Sequence, residues 1–272
     1  LRLQRLVKIG GYKLSIQAVL RVIFSNYFMA MLTPGASGGA VAQVLVLKSY
    51  GVPISKGTPI VLIRTVFSIM FLVIMLPLVF LRDAIEIPYI SRDMLLLFAV
   101  LAVIATLLGT YILQTKYMRQ FVYNLAQCFK AHKTKDWLSK LEILNQGLGL
   151  LYKEPIQSFI VFIESGLSLL CLYCIAPALM YAFTPHIPII DILDRMILLN
   201  LILYFAPTPG GTGIAEGLFV VLFSAFVPNG TVGIVAVAWR VVAEYLPFFI
   251  GMYAVLTLYG RQFVAQETSR EQ

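Results

Sequence analysis

Four stretches of this chain, 57–81, 94–114, 155–183 and 231–259, stay apolar for longer than the roughly 20 helical residues that cross a hydrocarbon core about 30 Å thick. Runs of that length suit lipid as their solvent. The chain is 60% hydrophobic and 12% charged, with a mean hydropathy of +0.87, whereas a soluble domain carries about 25% charged residues. These features predict an all-α polytopic membrane protein, a helical bundle forming a single transmembrane domain over 1–272.

Two further apolar stretches, 14–33 and 189–207, each run into a glycine-proline motif: Thr33-Pro34-Gly35-Ala36-Ser37-Gly38-Gly39 and Thr208-Pro209-Gly210-Gly211-Thr212-Gly213. Beyond each lies an apolar segment of 14 residues, 36–49 and 214–227, about 21 Å long as a helix and too short to cross. Proline removes an amide donor and clashes with the preceding turn, and glycine relaxes the backbone, so each motif should interrupt a helix. Backbone left unpaired at membrane depth must be enclosed by protein or line a water-filled cavity. Two readings follow, re-entrant hairpins or tight turns at the membrane surface; the short segments favour the first. Each motif is trailed by an arginine, Arg64 31 positions after Thr33 and Arg240 32 positions after Thr208.

Charge placement sets the orientation. Arg2, Arg5, Lys8 and Lys13 lead the chain, Lys48 and Lys56 flank the first short segment, seven further cations lie between Lys116 and Lys153, and Arg261 and Arg270 close the tail. The complementary loops hold Arg82, Arg92 and Arg195, so the positive-inside bias puts the first group, and both termini of this chain, in the cytoplasm. Segment 115–154, with Phe121, Leu125, Phe129, Trp137, Leu138, Leu141 and Leu144 among lysines, reads as a cytoplasmic interfacial amphipathic segment on anionic inner-leaflet lipids. On this orientation the first hairpin enters from the inside and the second from the outside. The chain then contains two inverted-topology units, 14–81 and 189–259, each with a Pro/Gly-broken re-entrant helical hairpin, a common construction for secondary transporters.

The run Pro207-Thr208-Pro209-Gly210-Gly211-Thr212-Gly213-Ile214-Ala215-Glu216-Gly217, with Arg240 and Tyr245-Leu246-Pro247 after it and the Thr33–Gly39 motif with Arg64 before it, resembles the lysylphosphatidylglycerol synthase transmembrane family. That family includes the flippase part of the bacterial multiple peptide resistance factor, and the resemblance spans nearly the whole chain. It implies a lipid-translocating module in a bacterial cytoplasmic membrane. Members often carry a charged residue shortly after the first glycine pair, where this chain has Ala40, Val41, Ala42 and Gln43, a departure that bears on the charge of the first half-site. The start at Leu1 without methionine leads us to expect further hydrophobic segments ahead of it, and no soluble aminoacyl-transferase domain is read within 1–272.

The site can be argued from the residues themselves. A charge at the bilayer centre costs about 2.5 to 3.5 kcal/mol on insertion scales, so Arg21, Arg64, Glu164, Glu216, Arg240 and Glu244 should face partners or an aqueous cavity. Helix N-termini after the two breaks add about half a positive charge each. If they converge with Arg64 and Arg240, they form a positive site for a phospholipid phosphate. Candidate binding residues are therefore Arg64, Arg240, Glu216, Glu244 and Glu164, with Thr33, Gly35, Ser37 and Gly38 of the first motif and Thr208, Gly210, Gly211 and Thr212 of the second. Glu216 suits a cationic headgroup or a proton, Glu244 an ion pair one turn from Arg240 or a substrate contact, and Glu164 a counter-charge for Arg64 or Arg21. Arg21, eight residues past Lys13, suits snorkelling to the interface.

Other motifs carry less. Cys171 and Cys174 lie in a continuous apolar run with no histidine near, which favours packing over metal or redox work. The glycine runs lack the Lys-Ser/Thr ending of a phosphate-binding P-loop, so nucleotide hydrolysis is unsupported. We expect no cofactor, metal or nucleic-acid partner, and leave homo-oligomers open. The leading reading is a non-enzymatic translocator of a phospholipid or lipid-linked anionic or zwitterionic headgroup, passive or ion-coupled. The alternatives are a membrane-embedded lipid-phosphate transferase with Glu216 as general base, and a non-catalytic membrane scaffold acting through its basic central segment.

Overall fold

The computed structural model describes residues 2–35, 37–82, 92–112, 149 and 154–268. Its elements are α1 (Arg2–Ile9), α2 (Ile16–Leu32), α3 (Ser37–Ser49), α4 (Ile54–Leu81), α5 (Arg92–Ile112), α6 (Pro155–Tyr173), α7 (Ile175–Tyr181), α8 (Ile189–Leu203), α9 (Ile214–Phe223) with a 3-10 turn (Ser224–Phe226), α10 (Val232–Arg240), a π turn (Val241–Tyr245) and α11 (Leu246–Thr268). Among the described residues all regular elements are helical. Ile54–Leu81, Pro155–Tyr181 and Val232–Leu258 are long and apolar enough to cross a membrane, in keeping with three of the expected spans; the fourth, 94–114, overlaps α5, where the described apolar helix Asp93–Thr106 falls among the shorter ones. Apart from Gly149 and Glu154, the segment expected at 115–154 lies outside the described residues.

Two spans that read as continuous are interrupted, and proline explains both. Pro177 cannot donate to the carbonyl of Tyr173 four residues back and its ring crowds that turn, and the helix breaks at Cys174 between α6 and α7. Pro247 bears in the same way on Ala243, and there the helix widens into the π turn, with the Leu246 N–H donating to the Val241 carbonyl.

The chain divides into two compact units, Leu1–Lys13 with Ser55–Leu170, and Leu14–Ile54 with Cys171–Gln272. Both Pro-Gly hairpins belong to the second unit, while nearly all of α4 belongs to the first. In the first unit α1 buries Leu3, Leu6 and Val7 and is tied down by its arginines. Arg2 Nη1 donates to Ser68 Oγ at 3.2 Å, Arg5 Nη1 to Gln157 Oε1 at 2.9 Å, and Arg5 Nη2 to Glu164 Oε1 at 2.9 Å. Glu164 thus pairs with Arg5, where the sequence had offered Arg64 or Arg21, because α1 lies against α6. Gly166 leaves room for the Phe71 ring, which with Phe67 packs on Phe162.

In the second unit α2 is the shared element, packed on α3 on one side and α11 on the other. Gly251 brings the α11 backbone onto the Phe24 carbonyl of α2, and Phe28 meets Phe248 with centroids 5.3 Å apart. Such close approach by small residues is how apolar helices associate where lipid removes the hydrophobic drive. Meanwhile Phe249, Tyr253 and Leu256 of α11 are exposed, as on a helix facing lipid. Gly251→Ala sets a methyl against the Phe24 backbone, and an overpacking loss of about 1 to 3 kcal/mol is expected, read as a lower unfolding midpoint in detergent. Gly217→Ala, with open space around it, should leave that midpoint unchanged or raise it.

Candidate functional site

The two Pro-Gly motifs fold into closely similar turns, and the turns meet. Gly35 and Gly210 take φ of +61° and +58°, the left-handed region that glycine enters without steric cost. Three residues after each proline a hydroxyl returns to its carbonyl: Ser37 Oγ donates to Pro34 O at 3.1 Å, and Thr212 Oγ1 donates to Pro209 O at 2.7 Å. Pro34 and Pro209 are then joined by an isolated antiparallel bridge. Since proline has no amide hydrogen, the donors of that bridge belong to neighbouring residues.

The first turn also satisfies the helix ends it joins. Thr33 Oγ1 donates to the Met29 carbonyl at 2.8 Å and accepts the Gly38 N–H at 2.8 Å, so one hydroxyl serves the end of α2 and the start of α3. Gly39 lies against Asn26, whose Oδ1 accepts from Gln43 Nε2 at 2.6 Å. In the second turn the Gly211 N–H donates to the Thr208 carbonyl at 3.0 Å around Pro209 and Gly210, the proline-then-glycine order of a type II turn. Thr208 Oγ1 is buried there with no hydrogen-bond partner.

The second turn is clamped by Arg240. This side chain is 1% exposed and ends α10, held there by Trp239, which stacks on Phe219 of α9 at 5.1 Å between centroids. Its three nitrogens have three tasks. Nε donates to Glu216 Oε1 at 2.7 Å, Nη2 donates to the Gly210 carbonyl at 2.9 Å, and Nη1 pairs with Glu244 Oε2. Glu216, in the first turn of α9, also accepts the Gly213 N–H through Oε2 at 2.7 Å; with no side chain on Gly213, only the glutamate half of a capping box exists. Glu244 lies in the π turn. The carboxylates are 28% and 21% exposed.

The structure therefore brings Thr33, Gly35, Ser37, Gly38, Thr208, Gly210, Gly211 and Thr212 into two joined turns, and Glu216, Arg240 and Glu244 into one ion cluster beside them. Arg64, half-buried on α4, and Glu164 belong to the other unit. The cluster's balance differs from the positive site anticipated: two carboxylates share one guanidinium, and a proline-turn carbonyl takes its third nitrogen. Sequence reasoning passed over Asn26 and took Gln43 only as an uncharged position, although polar amides in apolar helices were a signal. The Gly210 carbonyl left none, since any residue has one.

The match to known proteins covers nearly the whole chain. A family described as the lysylphosphatidylglycerol synthase TM region matches residues 1–251. A UPF0104 membrane protein of Archaeoglobus fulgidus is 20% identical over 263 residues, which cover 94% of this chain and 80% of that protein. No solved structure matches. With spans long and apolar enough to cross a bilayer and this match, the chain is an integral membrane protein that belongs to the lysylphosphatidylglycerol synthase transmembrane-region family.

Proposed function

We propose that the chain is a lipid translocator, which admits a phospholipid headgroup to a polar site at the joined Pro-Gly turns while the acyl chains stay in lipid. The observation that carries this reading is the bridge between Pro34 and Pro209 beside the buried Arg240 cluster. In this reading α2–α3 and α8–α9 are re-entrant hairpins entering from opposite faces, an inverted pair whose tips form the site; their matching turn geometry supports it. The headgroup, anionic or zwitterionic, meets the turn hydroxyls and the ends of α3 and α9, and leaves chemically unchanged. The reading does not rest on Arg64. Segment 115–154 gathers anionic lipids at the inner surface.

The test is purified protein in vesicles with a fluorescent phospholipid and a membrane-impermeant quencher. Exchange between leaflets should run well above that of protein-free vesicles, with the lipid recovered intact. Exchange no faster than in protein-free vesicles sinks the reading, and a chemically altered lipid replaces it with a transferase.

A further inference from the structure

The Arg240 cluster holds one carboxylate more than it can neutralise. Glu216 and Glu244 face a single guanidinium, and the arginines of α8 and α2 make contacts elsewhere. On α8, packed against α9, Arg195 lies over the Phe226 ring at 4.6 Å and donates to the Asp191 carbonyl at 3.2 Å; Asp194 there is buried and adds an acid, not a cation. On α2, packed against α11, Arg21 donates to the Tyr50 hydroxyl at 2.8 Å. On α7, packed against α10, the titratable group is Tyr181, and on α11 the titratable group among described side chains is Tyr253, both exposed. Glu244 sits near the middle of the apolar stretch Val232–Leu258, where an unbalanced charge is costly.

The two acids are not equivalent. Glu216 is fixed as a carboxylate by two donors, the Gly213 amide and Arg240 Nε, and by its place at the positive end of α9. Glu244 faces Arg240 Nη1 from the π turn, a helical irregularity that recurs at functional sites. We propose that the cluster binds one proton, carried by Glu244, and that this proton enters together with the anionic phosphate of a lipid headgroup; the second half rests on the translocator reading above. Moving a proton from water to the Glu244 carboxylate removes its charge and releases Nη1 of Arg240 as a donor to a phosphate oxygen. Without the proton, cluster and phosphodiester together carry two net negative charges; with it they carry one.

Infrared difference spectra of the purified protein in lipid nanodiscs, recorded as pH is stepped, test the proton site directly. A protonated-carboxyl band is expected that disappears in Glu244→Gln, shifts in Glu244→Asp and is unchanged in Glu164→Gln. Absence of the band in the parent, or its persistence in Glu244→Gln, overturns the proton site. For coupling, vesicles with labelled phosphatidylglycerol are given opposite pH gradients. The parent's initial exchange rates should differ severalfold between them, and that ratio should fall to one in Glu244→Gln whatever its resting rate. A parent that exchanges lipid equally under both gradients overturns the coupling and leaves the translocator reading intact. A parent with no exchange overturns that reading and the coupling with it, and the infrared result alone then decides the proton site.

Discussion

Arg240→Ala is expected to cost about 3 to 5 kcal/mol of stability, the penalty for removing one member of a buried ion pair and leaving its partner uncompensated. The side chain is 1% exposed, and its loss strands Glu216 and Glu244 together and leaves the Gly210 carbonyl without its donor. Repulsion between the two carboxylates then adds to desolvation. Arg240→Lys should recover only part of this, because an ammonium on a flexible stem cannot reproduce three directed contacts from one planar fork. Replacing both glutamates by glutamine along with Arg240→Ala should recover more than Arg240→Lys, since no buried charge is left unpaired. Unfolding midpoints in detergent give the order; an Arg240→Ala protein as stable as the parent would mean that the cluster does not hold the second turn.

A disulfide between the two turns should stop lipid exchange. Opposed residues in an antiparallel bridge have Cα atoms about 4.5 to 5.5 Å apart, inside the roughly 4.4 to 6.8 Å that a disulfide spans, so Pro34→Cys with Pro209→Cys places two thiols across the bridge. In a background with Cys128, Cys171 and Cys174 replaced, the oxidised protein should exchange lipid at the rate of protein-free vesicles, and a reductant should restore the rate of the reduced double variant. The reduced state is the control for loss of the two prolines, and each single variant controls for the oxidant. Equal exchange before and after oxidation would show that the tips need not part during transport.

The spans were legible in the sequence because apolar length alone decides whether a helix can cross lipid. The breaks were legible because proline and glycine act locally: Thr33-Pro34-Gly35 directly follows the end of α2 at Leu32, whereas α8 ends at Leu203, five residues before Thr208-Pro209-Gly210 and short of the 189–207 stretch read from the sequence. The reach of a proline was harder to read: Pro177 and Pro247 act on turns that precede them, and neither the Cys174 break nor the π turn has a composition of its own. Glu244 was correctly placed one turn from Arg240, a spacing fixed by helix geometry. The joining of Pro34 to Pro209, the Gly210 carbonyl on Arg240 and the pairing of Glu164 with Arg5 depend on which helices lie side by side, which no local pattern encodes.

The most direct measurement of the central claim is where a lipid headgroup touches the protein. A phospholipid carrying a photoreactive group next to its phosphate, activated in vesicles containing the functional protein, should label peptides spanning 33–39 and 208–217, and labelling should be competed by unlabelled phospholipid. Labelling confined to exposed apolar positions of α11 such as Phe249, Tyr253 and Leu256, with none at either turn, would contradict the account.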